Sequence, residues 1–241
     1  MLNKFTIILP VIDEEKSLKK TIKIILSQNK KNIDRIKFVL NRKKTTLSAV
    51  KLCENITNNN KKIFEIIYQK KPNLGGAMID AFNSKIKSSH TVMMSSDLET
   101  DPLLLKKMIK QSMLFPNSII TASRWTDKSI IHDYGILKKN LNFIFQKFFS
   151  ILYRTNCNDL TYGYRIFPTK LIKKISWKMH NHSFLFETLI KPLKLNINVI
   201  QITSGWKKRI EGKSHNNIFN YFWYFYVGIK VMFMKRKDIL K

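Results

Sequence analysis

The sequence predicts an α/β fold: a mostly parallel sheet flanked by helices. Over the first 125 residues, short apolar runs alternate with amphipathic stretches of helical period, the signature of successive β-α units. Runs such as Ile7-Ile8-Leu9 and Val92-Met93-Met94 show no two-residue alternation, as expected of strands covered on both faces. Acidic residues gather just beyond two of these runs, at the strand ends where such sheets bind ligands.

Strands are predicted at residues 5–10, 35–40, 62–68, 91–94 and 118–122, with helices at 15–27, 46–57, 75–87 and 103–115 between them. From residue 135 the pattern changes. A long helix is predicted at 136–153, with Lys138 and Lys139 near its start. A Gly-containing segment at 159–167 follows, then a helix at 184–195, a strand at 198–203 and a basic loop from Lys207 to His215. Residues 218–234 are dense in Phe, Tyr and Trp and lead into Lys235-Arg236-Lys237. That stretch is interrupted by Asn220 and Lys230 and falls short of the ~20 apolar residues a membrane span needs. A helix lying in the membrane interface is the favoured reading; packing on the protein's own sheet is the alternative. From Trp206 onward nine basic residues face two acidic ones, a surplus that would attract an anionic leaflet.

The 241 residues carry 44 Lys and Arg against 16 Asp and Glu, a net charge of +28. Length suits one domain with a sizeable core, or one domain plus an appendage. The charge calls for an anionic partner or reflects compositional bias, since lysine is spread without a dominant block. Cys53 and Cys157 form neither a disulfide framework nor a CxxC site, so a reducing compartment is expected. The first apolar run is too short for a secretory signal core.

Six of the 16 acidic residues fall in two clusters, Asp13-Glu14-Glu15 after the first strand and Asp97, Glu99 and Asp101 after the fourth. In extended backbone Asp97 and Glu99, two apart, would point the same way and offer hard oxygens to Mg2+ or Mn2+. The competing reading is that Asp97 or Asp101 caps the helix that starts near Pro102. Clustered carboxylates repel phosphates unless metal is present, which argues against nucleic acid as the partner.

Six segments, in order, resemble family 2 glycosyltransferases of the GT-A (Rossmann-like) fold, particularly the polyprenyl-phosphate (dolichyl-phosphate) mannosyl- and glucosyltransferase branch. Ile7-Ile8-Leu9-Pro10-Val11-Ile12-Asp13-Glu14-Glu15 is similar to the family's opening strand and turn, and Asn73-Leu74-Gly75-Gly76-Ala77 to its N-x-G-x-G-A helix start. Ser95-Ser96-Asp97-Leu98-Glu99-Thr100-Asp101-Pro102 resembles the D-x-D metal loop, with Ser95 where the family usually has Asp. Ala122-Ser123-Arg124-Trp125, Asp159-Leu160-Thr161-Tyr162-Gly163-Tyr164-Arg165 and Arg209-Ile210-Glu211-Gly212-Lys213-Ser214-His215 resemble the G-S-R-Y turn, the acceptor segment and the closing loop. The family's Asp-Asp-Gly-Ser turn after the second strand is replaced here by Val39-Leu40-Asn41-Arg42-Lys43, which leaves Asn41 as the surviving contact.

The resemblance implies a hexosyltransferase that moves sugar from a nucleotide diphosphate sugar to a polyprenyl phosphate with Mg2+ or Mn2+, in cell-envelope glycan synthesis. It assigns Asp97 and Glu99 to the metal, and Asp97, Arg124 and Arg209 to catalysis. Pro10, Ile12, Glu14, Asn41, Gly75, Asp97, Arg209 and Lys213 fall to the nucleotide sugar. Arg124, Lys138, Lys139, Asp159, Arg165 and Ser214 fall to the acceptor. The implied layout is a transferase domain over 1–215, with a donor half at 1–125 and an acceptor half at 126–215, and a membrane-interface helix at 216–241. The implied location is cytoplasmic, peripheral on the inner face of the membrane, with a membrane protein as a further partner. A glycan acceptor or a non-catalytic binding module are the alternatives. Glu187, Asp159 with Arg165 across the Gly163 turn, and Gly75 with Gly76 each have a purely structural reading beside the functional one.

Overall fold

Apolar runs without alternation need cover on both faces, and the computed structural model, which describes residues 4–125, 136–204 and 220–241, provides it. Strand β1 (Phe5–Val11) is followed by α1 (Lys16–Asn29), β2 (Ile33–Leu40), α2 (Leu47–Asn59), β3 (Phe64–Tyr68), α3 (Asn73–Asn83) and β4 (His90–Met93). A 3-10 turn at Pro102–Leu104 then leads into α4 (Leu105–Leu114) and β5 (Ile119–Ser123). The second half contributes α5 (Ile136–Leu152), β6 (Arg165–Pro168), α6 (Thr169–Lys174), α7 (Phe184–Lys194), β7 (Val199–Thr203), α8 (Asn220–Phe233) and α9 (Arg236–Ile239). Every strand and helix predicted from the sequence is present, with ends moved by a few residues. Strand β6 and the short helices α6 and α9 were not predicted.

The seven strands form one sheet in the order β3-β2-β1-β4-β6-β5-β7. All neighbouring pairs are parallel except those of β6, which runs antiparallel to both β4 and β5. The predicted mostly parallel sheet is therefore observed, with one reversed strand inserted between β4 and β5.

Successive residues of β1 feed two cores. Ile7 and Leu9 pack with Leu18 and Ile25 of α1, Ala49 of α2 and Met108 of α4. Ile8 faces the other way, with Phe82 of α3, Phe149 of α5, Ile172 of α6 and Phe186 of α7. Helix α8 completes this second core: Tyr224, Val227 and Val231 are buried in it. The Tyr224 hydroxyl donates to the carbonyl of His182 (2.9 Å), and that of Tyr153 to the carbonyl of Gly228 (2.7 Å). A side chain at Gly228 would run into the Phe149 ring, so the close approach of α8 to α5 requires glycine there. The inner face of α8 thus packs on the protein itself.

The reversed strand decides what reaches the ligand edge. Met93, at the end of β4, pairs with Arg165, at the start of β6. The segment leading into β6 therefore arrives at the carboxyl end of β4, beside the loop that carries Asp97. The end of β5, at Ser123, opens on the same edge.

Candidate active site

On the donor side, the turn after β1 folds around Glu14. Its Oε2 accepts the backbone N–H groups of Ile12 (2.7 Å) and Asp13 (3.2 Å). Its pKa is nevertheless raised, first by burial and then by the neighbouring Asp97 and Asp13 carboxylates. The loop after β4 is tied to the same turn by Ser96, whose hydroxyl donates to the carbonyl of Pro10 (2.7 Å). The two acidic clusters expected to share one edge are thus adjacent.

Extended backbone does not bring Asp97 and Glu99 together, as the sequence argument assumed. Leu98 has φ of 64°, in the left-handed region, so the loop turns at this residue. Asp97 is buried, and its Oδ1 accepts both the Ser95 hydroxyl (2.6 Å) and the Glu99 N–H (3.0 Å). Ser95, where the resemblance expects a carboxylate, replaces a repulsive neighbour by a hydrogen-bond donor to Asp97. Thr100 braces the loop from within, its hydroxyl 3.0 Å from that of Ser95. Asp101 takes the capping role foreseen for this cluster, its Oδ1 accepting the Leu103 N–H (3.0 Å) at the 3-10 turn.

Among the described residues, no group of three or more His, Cys, Asp or Glu is placed to hold a metal. The hard-oxygen donor set of Asp97 and Glu99 fits Mg2+ or Mn2+ all the same, because such ions are commonly held by one or two carboxylates together with substrate phosphates.

On the acceptor side, Arg124 and Asp159 interlock. Arg124 donates from Nε to Oδ2 (2.8 Å), from Nη2 to Oδ1 (2.9 Å) and from its backbone N–H to Oδ2 (2.9 Å). Asp159 is completely buried and also accepts the Tyr162 N–H (3.1 Å). The Arg124 guanidinium lies 4.8 Å from the Tyr162 ring centre, and the Tyr162 hydroxyl donates to the carbonyl of Glu99 (3.0 Å). Tyr162, which no sequence argument singled out, thereby joins the acceptor segment to the acidic loop. Arg124 Nη2 also reaches the Thr161 hydroxyl (3.2 Å), to which Gln146 of α5 donates (2.9 Å).

Several expectations need correction. Arg165 does not pair with Asp159 and does not face an acceptor: it is completely buried and donates to the Thr121 hydroxyl and to the carbonyl of Leu160, with Leu185 and Thr188 as further partners. Burial lowers its pKa to about 10. Gly75 has a packing role of its own, for a Cβ there would strike Met179, His180 and Phe184. Gly76 donates its N–H to the carbonyl of His180 (3.1 Å), which occupies this end of α3. Asn41 is committed to its own turn, its Oδ1 accepting the N–H groups of Lys43 (2.9 Å) and Lys44 (3.0 Å). Glu187 is a partnered core carboxylate: it accepts the N–H groups of Lys178 and Met179 (both 3.0 Å) and pairs with Lys191 at 2.5 Å. Lys138 and Lys139 lie in the first turn of α5, but their side chains, like Arg209, Lys213, Ser214 and His215, fall outside the described residues.

Residues 6–176 match the sequence model of Glycosyl transferase family 2. The chain belongs to this family. It is therefore a glycosyltransferase of GT-A architecture, as its motifs led one to expect. A crystal structure of glucosyl-3-phosphoglycerate synthase from Mycobacterium tuberculosis with UDP is similar at a TM-score of 0.70 and 11% identity, over 97% of this chain and 81% of that one. A second structure of that synthase, with Mn2+, UDP and phosphoglyceric acid, gives a TM-score of 0.70 at 10% identity, over 97% and 80% of the two chains. At such identity the likeness is one of fold. No curated protein sequence matches the chain.

Proposed function

We propose that this glycosyltransferase moves a sugar from a nucleotide diphosphate sugar to a lipid phosphate of the polyprenyl type, working on the inner face of the membrane. The observation that supports a lipid-borne acceptor is the position of α5. Through Gln146 and Thr161 its inner face touches Arg124, while its outer face exposes Leu141, Ile144, Phe148 and Ile151. One helix thickness thus separates the acceptor-side arginine from an apolar surface.

On this reading the donor diphosphate lies between the Glu14 turn and the Asp97 loop. Asp97 and Glu99 would hold a divalent metal, which supplies a Lewis acid that neutralises the departing diphosphate. Asp159 fixes the Arg124 guanidinium through two parallel hydrogen bonds and a backbone contact, and Tyr162 backs it. Arg124 is thereby pre-oriented toward an acceptor phosphate. A phosphate is already ionised at neutral pH, so the nucleophile needs no strong general base. A glycan hydroxyl would need one, and both carboxylates nominated for that role, Asp159 and Glu187, are held in ion pairs with Arg124 and Lys191. A small phosphate-bearing acceptor is a second reading, favoured by the phosphoglyceric acid present in the similar synthase.

Transfer of labelled sugar from a panel of nucleotide sugars, with Mn2+ and either polyprenyl phosphate or phosphoglyceric acid, tests both. The expected result is labelled lipid, reduced by about 10²-fold or more in Asp97→Ala, the scale of removing one electrostatic stabiliser of a transition state. Label in phosphoglyceric acid alone would replace the lipid reading, and transfer indifferent to Asp97→Ala would remove the metal assignment.

A further inference from the structure

Helix α8 has an unusual distribution for a surface helix. Its inner stripe, Tyr224, Val227 and Val231, is buried, yet the opposite stripe is apolar too: Phe222 is 71% exposed, Phe233 79% and Ile229 40%. A helix that is hydrophobic all round ordinarily has both faces covered. Helix α5 is stranger still. Its inner face buries Asn142 and Gln146 beside Phe145 and Phe149, yet its outer face exposes Leu141, Ile144, Phe148 and Ile151. The two outer faces are one surface, because Phe148 of α5 and Phe225 of α8, each 46% exposed, touch at 6.3 Å between ring centres. Eleven of the sixteen large hydrophobic residues exposed among the described ones belong to these two helices. Such a concentration marks an interaction surface rather than scattered exposure.

We propose that α5 and α8 together form a docking face for an anionic lipid bilayer, lying in its interface without crossing it. The sequences of α5 and α8 contain four lysines and no acidic residue, and exposed Lys235, Arg236 and Lys237 follow α8 after Met234. Apolar and aromatic side chains fringed by lysine suit the headgroup region, with the aliphatic stems among the acyl chains and the cations on the phosphates. The same charge disfavours a second copy of this chain as occupant, since an isologous pairing would bring the lysines of both copies together. No described helix is long and apolar enough to cross a membrane. This inference deepens the lipid-acceptor reading, because a lipid-borne phosphate is met at a bilayer, and it gives Arg124 a defined orientation above that surface. It also extends the expected membrane contact from the carboxyl-terminal helix to α5.

Flotation of the full chain with phosphatidylcholine vesicles, with and without phosphatidylglycerol, tests the face. Wild type is expected to float with the anionic vesicles and only weakly with the neutral ones. Ile144→Glu in α5 and Phe222→Glu in α8, both at exposed sites, should each reduce partitioning by about tenfold or more, as loss of one buried apolar side chain requires. Both variants should keep the wild-type melting temperature and nucleoside diphosphate binding. Loss in Phe222→Glu with none in Ile144→Glu would overturn the two-helix face. Absence of wild-type flotation would overturn the docking proposal, and nucleoside diphosphate binding measured on the same sample shows separately whether the donor site stands. A dimer that either variant dissociates, with no vesicle binding, would assign the face to self-association instead.

Discussion

On the acceptor side, the buried acid Asp159 is gripped by Arg124, and the buried acid Glu187 by Lys191 and two backbone N–H groups. On the donor side, the charged groups acting most strongly on Glu14 are two further carboxylates, Asp97 and Asp13, and together with burial they raise its pKa. Both sides draw on the same residue types, but the first pairs its buried acids with cations while the second sets carboxylates beside Glu14. A side that already neutralises its charges can be rigid before any substrate arrives. A side that packs acids against one another gains most when a cation enters with the donor.

The scaffold half of this contrast has the largest expected effect. Glu187→Ala would strand the Lys191 ammonium, which burial already disfavours, and would free the N–H groups of Lys178 and Met179. A cost of about 3–5 kcal/mol in urea unfolding is expected, the range for breaking a buried pair by removing one partner. Adding Lys191→Met should recover a large part of that loss, because no buried charge is then left unpaired. A cost near zero for the single change would dissolve the contrast.

A smaller effect of opposite sign is expected at Glu14. Its folded pKa lies above its ordinary value, so the stability it contributes is present in acid and is lost as pH rises through the raised pKa. Glu14→Gln keeps an oxygen to accept the Ile12 and Asp13 N–H groups but carries no charge. The variant should therefore melt about 1–3 °C above wild type near pH 7, with the gap closing below about pH 4. Its affinity for nucleoside diphosphate with metal should fall. A variant less stable than wild type at neutral pH would show that the donor side is not strained by charge.

Much of this was legible in the sequence, because the first half states its periods openly. Unbroken apolar runs at β1, β2 and β4 gave the sheet, and the strand-end rule brought Glu14 and Asp97 to one edge. Strand β6 was hidden: four residues long, opened by Arg165 and closed by Pro168, it lacks the apolar run that announces a strand. Its antiparallel placement depends on contacts between distant segments, as does the burial of Arg165. The packing partner of Gly75 is hidden for the same reason, since the segment it packs against lies a hundred residues further on. The Asp97 loop was placed correctly, but the left-handed Leu98 was invisible, because a leucine carries no signal for positive φ. The mixed faces of α5, which buries Asn142 and Gln146 beside Phe145 and Phe149 and exposes Leu141, Ile144, Phe148 and Ile151, likewise emerge only once its neighbours are in place.

The central claim is that the donor edge, where the carboxylates of Asp13 and Asp97 act on Glu14, binds a nucleoside diphosphate together with a divalent cation. Calorimetric titration of a panel of nucleoside diphosphates, with and without Mn2+, into wild type and Asp97→Asn tests it directly. For the cognate diphosphate, Mn2+ should tighten wild-type binding by about tenfold or more, the equivalent of one modest charge-assisted contact, and should do little for Asp97→Asn. Equal affinity with and without Mn2+, or equal enhancement in both proteins, would contradict the account.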